Sequence, residues 1–166
     1  MKILIAYATK SGTARTCAEK LAALLPQHDV TLADLSENVD LRPSDFDFTV
    51  VGGPIRMGKL HKTAKIFIET SSFVPSKFAF FICCGLDANT GEYFKKNFPA
   101  TLLESALVYT SLGGELKPDN QSKFDRFLLK MFLESNRENE DFAMPTIYIE
   151  GIGRLADKIK AHLGEK

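Results

Sequence analysis

The hydrophobic positions along the chain fall into short continuous runs, separated by longer stretches in which apolar residues recur at helical spacing. Continuous apolar runs are typical of strands that are buried on both faces of a parallel sheet. We therefore predict five strands, which are Ile3 to Ala8, Val30 to Ala33, Phe48 to Gly52, Phe78 to Cys83 and Ala106 to Leu112.

The stretches between and after these strands predict the helices. They run from Gly12 to Leu25, Lys62 to Ser71, Thr90 to Asn97 with a second turn near Ala100 to Ser105, Asp119 to Glu134, and Gly151 to Leu163. Because strands and helices alternate, the expected fold class is α/β, a doubly wound five-stranded parallel sheet with helices on both faces. The 166 residues fit one domain, residues 1–166.

Three loops follow the first, third and fourth predicted strands. They are Thr9 to Thr13, Gly53 to Leu60 and Cys84 to Thr90. Doubly wound sheets bind ligands at the carboxyl ends of their strands, near the switch in strand order. We therefore expect a ligand site where these loops meet.

The first loop has the features of a phosphate site. It joins a buried strand to a helix, whose first N–H groups and positive dipole end attract anions. Thr9, Ser11 and Thr13 add hydroxyl groups, and Gly12 lets the backbone approach a phosphate closely. The loop lacks the Gly-Lys-Ser/Thr ending of a P-loop and the three glycines of a dinucleotide fold. An ordinary strand-to-helix turn with a capping serine is the alternative.

The second loop combines a stiff backbone with positive charge. Pro54 fixes its bend, so we expect Ile55, Arg56 and Met57 to be presented outward, where the apolar side chains need a ligand to cover them. From Gly52 to Phe67 the chain carries no acid but five basic or histidine side chains, Arg56, Lys59, His61, Lys62 and Lys65. This loop region is therefore locally positive.

Composition excludes several classes of function. The 21 basic and 21 acidic side chains cancel, which argues against a nucleic-acid surface. The first strand ends without acidic residues of the kind that hold magnesium, and we predict no metal site. No apolar stretch is long enough to span a membrane and no secretory leader is visible, so we expect a cytoplasmic protein. Cys17, Cys83 and Cys84 are expected to be free thiols.

The three loops together resemble those of the flavodoxin family. Thr9-Lys10-Ser11-Gly12-Thr13-Ala14 matches the family pattern Ser/Thr-x-Thr/Ser-Gly-x-Thr except at its last position. Within the family, the chain is most similar to the branch that contains menaquinone-dependent protoporphyrinogen IX dehydrogenase, on the segments Val51 to His61 and Lys123 to Met131. The resemblance spans nearly the whole chain.

This resemblance implies that the cofactor is FMN, with its phosphate on the first loop and its isoalloxazine ring between the other two. The implied cofactor-binding residues are Thr9, Lys10, Ser11, Gly12, Thr13, Ala14, Pro54, Ile55, Arg56, Met57, Gly58, Lys59, Cys83, Cys84, Gly85, Leu86 and Asp87. Ala14 stands where the family usually has threonine, and the loss of one hydroxyl contact is expected to weaken phosphate binding by about 1 kcal/mol. The chain has no tryptophan to stack on the ring.

The resemblance also implies a redox function, for which we assign no catalytic acid or base. The leading hypothesis is an FMN-dependent oxidoreductase that takes electrons from an organic reductant, a porphyrinogen in that branch, and passes them to a quinone or similar acceptor. The alternatives are an electron carrier that docks on partner proteins, and a flavodoxin-fold module that has lost its cofactor.

A cation such as Arg56 or Lys59 at ~7 Å from the reduced ring favours the anionic flavin by roughly 2 kcal/mol at an effective dielectric of about 20.

The expected partner is a redox small molecule or a redox protein. The apolar helix around Phe127 and Met131 suggests a contact with a membrane or a quinone as one hypothesis. Packing in the core is favoured over that contact, because the apolar residues of this segment share one helical stripe.

Overall fold

Five parallel strands in the order β2-β1-β3-β5-β6 form the central sheet of the computed structural model, which describes residues 1–37, 40–85, 89–115, 126–127, 130–131, 133–134, 137 and 144–164. They are β1 (Lys2–Tyr7), β2 (Asp29–Asp34), β3 (Phe48–Arg56), β5 (Phe78–Cys83) and β6 (Val108–Ser111). A two-residue strand, β4 (Lys59–Leu60), pairs antiparallel with the end of β3. The strand order reverses between β1 and β3, which confirms the predicted doubly wound sheet.

Helices cover both faces of this sheet. They are α1 (Thr13–Ala23), α2 (Lys62–Thr70), α3 (Thr90–Asn97), α4 (Ala100–Ser105) and α5 (Ile149–His162). One hydrophobic core contains buried residues of α1 and α5, and a second core on the other face contains buried residues of α2 and α3. The sheet is therefore apolar on both faces, which explains why its strands are continuous apolar runs in the sequence.

The strand β5 illustrates this two-sided burial. Ala79, Phe81 and Cys83 belong to the first core, and the alternate residues Phe78, Phe80 and Ile82 belong to the second. A Cβ added at Gly52 on the neighbouring strand β3 would overlap the ring of Phe81. The glycine thus makes room for a phenylalanine in the middle of the sheet.

The structure corrects some predicted elements. The third strand extends four residues beyond Gly52, to Arg56, because it pairs with both β5 and β4. The predicted sheet of five strands therefore gains β4, which falls inside a segment expected to be a loop. Helix α5 begins at Ile149 rather than at Gly151.

The helix predicted from Asp119 to Glu134 lies largely outside the described residues. Those that the structure describes between 126 and 134 are helical. Phe127 and Met131, expected to pack in the core, are 58% and 49% exposed, so that prediction is wrong for these two residues. Helical periodicity defines a stripe but not the surface that the stripe faces. In the described part of the chain, no helix has both the length and the apolar character needed to cross a membrane.

Candidate functional site

The three predicted site loops follow three strands that are neighbours in the sheet. Tyr7 of β1 is in register with Gly52 of β3, and Pro54 of β3 is in register with Cys83 of β5. Because all three strands are parallel, their carboxyl ends lie at the same edge. The sequence therefore predicted correctly that the three loops begin at one edge of the sheet.

The first loop is held in shape by its own polar groups. The backbone N–H of Gly12 donates a hydrogen bond of 3.1 Å to Oγ1 of Thr9, and the hydroxyls of Ser11 and Thr13 are 3.3 Å apart. Gly12 has a φ of +87°, a left-handed conformation that glycine adopts without strain. No atom outside its chain neighbours lies within 4 Å of the position that a Cβ would occupy there, so the space above the loop is open.

The amino end of α1 offers unused hydrogen-bond donors. No side chain caps this helix, and its first turn contains no acidic residue. Among the described residues, none accepts a hydrogen bond from the backbone N–H groups of Thr13, Ala14 and Arg15. The alternative of a serine-capped turn is thus wrong, since Ser11 contacts the hydroxyl of Thr13 instead. The side chain of Ala14 is buried in the first core, so this residue can offer a ligand only its N–H group.

An ion pair that the sequence analysis missed fixes this helix to the sheet. Arg15 of α1 lies 2.9 Å from the carboxylate of Asp34 at the end of β2. Asp34 also accepts hydrogen bonds of 3.0 Å from the N–H and 2.6 Å from the hydroxyl of Ser36. Burial alone would raise the pKa of Asp34, but the hydrogen bonds from Ser36 and Arg15 outweigh it and lower the pKa below its ordinary value. The carboxylate of Asp34 therefore has a structural role, because it joins α1 to the end of β2.

The second loop is a β-hairpin rather than an irregular loop. Its two turn residues, Met57 and Gly58, have φ angles of +49° and +74°, as a two-residue type I′ turn requires. Ile55 and Leu60 face each other across the hairpin and are buried in the second core. The expectation that Ile55 is presented outward is wrong, because strand residues alternate between faces and this one points inward. Met57 is 81% exposed, as expected.

The opposite face of the hairpin carries positive charge. Arg56 and Lys59 are direct cross-strand partners, one half-buried and the other exposed. Burial, together with the charges of Lys10 and Arg56, lowers the pKa of His61 below its ordinary value, against the opposing effect of Asp34. Lys10 of the first loop and Arg56 of the hairpin thus both disfavour the charged form of His61, and an anionic ligand beside them would offset this effect.

His61 takes part in local structure as well. Its Nδ1 lies 2.9 Å from Oγ1 of Thr63, and its carbonyl accepts a hydrogen bond of 3.0 Å from the N–H of Lys65 in α2. The residue immediately precedes α2, as the sequence predicted.

A buried asparagine that no sequence motif singles out holds the hairpin in place. Asn97, at the end of α3, accepts a hydrogen bond of 2.8 Å from the N–H of Leu60. Its side-chain amide donates hydrogen bonds of 3.0 Å to the carbonyl of Gly58 and 2.8 Å to that of Tyr93. The only sequence signal is an amide side chain at the end of a predicted helix, and this does not identify a partner 37 residues away.

The third loop is described except at residues 86–88. Cys83 and Cys84 are buried reduced thiols, as expected, and Gly85 is half-buried. Sγ of Cys83 lies 3.7 Å from Sγ of Cys17, and this contact together with burial raises the pKa of Cys83 well above its ordinary value. Cys83 is therefore a neutral thiol. Leu86 and Asp87, also predicted to bind the cofactor, lie outside the described residues.

The described residues fit the phosphate end of a flavin mononucleotide. Unused N–H donors, hydroxyl groups and an open glycine lie at the amino end of α1. The charges of Lys10 and Arg56 both act on His61 near this edge of the sheet. Helix amino ends with this composition bind phosphate groups.

Comparison with known proteins identifies the family. The sequence profile of the flavodoxin domain matches residues 4–142. The chain belongs to the flavodoxin family. This membership supports FMN as the cofactor, in agreement with the prediction, while the dehydrogenase branch is not identified by it. No curated protein sequence matches the chain significantly.

Solved flavodoxin structures share the fold over their whole length. A flavodoxin from the domain Archaea is 14% identical, with 98% of this chain and 99% of that chain covered and a TM-score of 0.56. Oxidised flavodoxin 2 from Bacillus cereus is 18% identical, with 97% and 99% covered and a TM-score of 0.55. The flavodoxin of Streptococcus pneumoniae TIGR4 is 14% identical, with the same coverages of 97% and 99% and a TM-score of 0.53. At these identities, the likeness shows the fold.

Proposed function

We propose that the protein binds FMN where the three loops meet and transfers electrons through it. The observation that carries this proposal is the uncapped amino end of α1, with free N–H donors at Thr13, Ala14 and Arg15 beside the open space over Gly12. When bound, the isoalloxazine ring supplies the electron-transfer chemistry, and the protein sets binding, orientation and electrostatics.

In this proposal, the first loop binds the phosphate. The N–H groups of the first turn of α1 donate to the phosphate oxygens, and Lys10 balances their charge. The hydroxyl pair of Ser11 and Thr13 supplies further donors. A methyl group at position 14 makes no hydrogen bond, so the phosphate relies more on backbone N–H groups than it does in relatives with threonine there.

The hairpin sets the electrostatics around the ring. Arg56 and Lys59 place positive charge on the outward face of the hairpin, and this charge favours an electron-rich, anionic ligand over a neutral one. Pro54 and Met57 belong to the same hairpin. A flavin bound beside these cations accepts electrons more readily than a flavin surrounded by acidic side chains.

Transfer of electrons to and from a partner protein is the first candidate function. It is favoured by Met57, which stands 81% exposed at the tip of a hairpin next to the proposed ring site. An exposed apolar tip beside a cofactor provides a contact through which a partner can approach it.

Direct turnover of small molecules is the second candidate, and it is favoured by the positive charge of Arg56 and Lys59. In this form, the protein is an oxidoreductase that takes electrons from an organic reductant, a porphyrinogen as in the branch that the sequence resembles, and passes them to a quinone or similar acceptor. His61, whose pKa is lowered by burial and nearby cations, is a neutral imidazole that can accept a proton at this site.

Comparison of FMN with riboflavin tests the binding proposal. Riboflavin lacks the phosphate, so we expect calorimetry to show FMN binding at least about tenfold more tightly, equivalent to about 1.4 kcal/mol from one or two charge-assisted hydrogen bonds. Bound FMN should also shift the visible absorption spectrum. Equal affinities for the two flavins would contradict the phosphate site, and no binding of either in folded protein would refute the function.

A turnover assay separates the two candidates. FMN-loaded protein is mixed with a porphyrinogen and a soluble quinone, without added proteins, and porphyrin fluorescence is followed. Sustained turnover above the rate with free FMN supports the oxidoreductase. Reduction of the flavin without turnover supports the carrier.

A further inference from the structure

Three lysine side chains lie in or near the β3–β4 hairpin. Lys59 follows Gly58 in the hairpin, and Nζ of Lys96 in α3 lies 3.7 Å from the position that a Cβ would take on Gly58. Lys10 lies in the first loop, close enough for its charge to act on His61. We call Lys10, Lys59 and Lys96 the cationic rim. All three are exposed, and none forms an ion pair with another described residue.

The centre of this rim is convex and apolar. Met57 is 81% exposed, and the positive φ angles of Met57 and Gly58 turn the chain sharply so that the tip projects. Small-molecule sites are concave, whereas protein interfaces place an apolar contact, often methionine, inside a polar rim. The shape therefore favours a protein surface as the occupant.

The acidic segment of the chain, residues 34–47, is partly engaged by contacts within the chain. Asp34 and Asp45 form ion pairs with arginines, and Asp47 accepts a hydrogen bond of 2.8 Å from the backbone N–H of Lys2. Three of the five carboxylates between residues 34 and 47 therefore have partners within the chain. The rim lysines, by contrast, present their charge outward.

We propose that an acidic redox protein docks on the cationic rim, with Met57 at the centre of the contact, and exchanges electrons with the flavin. This inference rests on the proposed function, because the flavin is the group that the docked partner reaches. In the test reaction, each reduced FMN gives one electron to each of two ferric haems, and its protons pass to the solvent. Complementary charge accelerates such encounters, and salt suppresses the acceleration.

The binding step is tested without any redox reaction. An acidic b-type cytochrome and a basic c-type cytochrome are titrated separately into isotope-labelled protein at low salt, and backbone amide shifts are recorded. We expect the acidic probe to shift amides at Met57, Gly58, Lys59 and Lys96, and the basic probe to leave them unchanged. Because this readout needs no flavin, it decides the docking surface even if FMN fails to bind.

The electron-transfer step is tested by stopped-flow mixing of reduced, FMN-loaded protein with each ferric cytochrome. With the acidic probe, we expect the second-order rate constant to fall about tenfold between low and high salt. The variant Lys96→Glu should lower the low-salt rate by about fivefold. The matched control Lys158→Glu makes the same change in net charge at an exposed position of α5 and should leave the rate within about twofold. FMN affinity, measured for each variant, should be unchanged.

Three results would overturn the docking proposal. One is an equal salt dependence for both cytochromes, and another is an equal loss of rate in Lys96→Glu and Lys158→Glu. The third is that the dicarboxylate mesoporphyrin shifts the rim amides while the acidic cytochrome does not, which would make the rim a small-molecule site. Failure of the proposed function is distinguished by the absence of FMN absorbance in the loaded protein.

Discussion

Replacement of Asn97 by alanine tests whether one buried side chain holds the hairpin. Leu60 lies opposite Ile55 at a position where the antiparallel ladder forms no hydrogen bonds, so the N–H of Leu60 depends on Asn97. The variant Asn97→Ala leaves this N–H and the carbonyl of Gly58 without their partner. The carbonyl of Tyr93 keeps its bond within α3 and loses little.

The expected cost follows from these two groups. An unsatisfied buried donor or acceptor costs about 1–3 kcal/mol. The bond to the Leu60 N–H is buried and the bond to the Gly58 carbonyl is part-buried, so their loss together should lower the free energy of unfolding by about 3 kcal/mol. Urea denaturation followed by circular dichroism should show the midpoint falling by about 1–2 M with an unchanged slope. This is a large share of the 5–15 kcal/mol that a domain ordinarily has, taken as an order of magnitude.

A matched substitution separates the hydrogen bonds from the loss of an amide side chain. Asn89 is exposed, and its side chain makes no capping hydrogen bond to α3, so Asn89→Ala should change the stability by less than about 0.5 kcal/mol. Amide exchange at Leu60 should also accelerate in Asn97→Ala more than exchange in β1. If Asn97→Ala costs no more than Asn89→Ala, Asn97 does not hold the hairpin in place.

Three further predictions concern the site. Gly12→Ala should destabilise the protein by about 1–2 kcal/mol and weaken FMN binding, because Gly12 has a φ of +87°. Gly153→Ala, which lies in helix α5 and has equally open space around it, should stabilise the protein by about 0.5–1 kcal/mol. Equal effects of the two substitutions in urea denaturation would contradict this. Lys59→Gln should lower the flavin's reduction potential by about 20 mV or more in a potentiometric titration, and an unchanged or higher potential would show that the charge does not reach the ring. The pKa of His61 is lower in the folded than in the unfolded state, so its contribution to stability is present above pH about 6.5 and is lost as the pH falls through the folded pKa. The wild-type protein should therefore lose stability relative to His61→Gln between about pH 7 and 5. Parallel pH profiles of the two proteins would refute this.

The sequence predicted the main sheet well because buried strands are recognisable as continuous apolar runs. Where both faces of a strand are covered, most of its residues are apolar, and a run such as Phe78 to Cys83 corresponds residue for residue to a strand. The carboxyl ends of those strands then place the first loop, Pro54 and Gly85 at one edge. The prediction of where a ligand binds therefore followed from strand order.

The hairpin could not be predicted in the same way, because its glycines and proline resemble turn residues. Gly52, Gly53 and Pro54 lie inside β3. The ring of Phe81 occupies the space that a Cβ on Gly52 needs, and a Cβ on Gly53 would lie 3.3 Å from that of Ala64. The real turn is Met57-Gly58, and a methionine with a φ of +49° carries no sequence signal. Glycine in a strand marks close packing as readily as it marks a turn.

The orientation of the charged face of the hairpin depends on a residue that carries no charge. Side chains in a hairpin alternate between faces, so burial of Ile55 and Leu60 forces Arg56 and Lys59 to the outward face. A shift of one residue in the pairing would exchange the two sets. Asn97 prevents that shift because its oxygen and its nitrogen bond backbone groups on either side of Lys59, namely the N–H of Leu60 and the carbonyl of Gly58. The electrostatics of the proposed flavin site therefore depend on a buried amide contributed by α3. The pattern of charged residues along the chain does not reveal this dependence, because the amide is uncharged and distant in sequence.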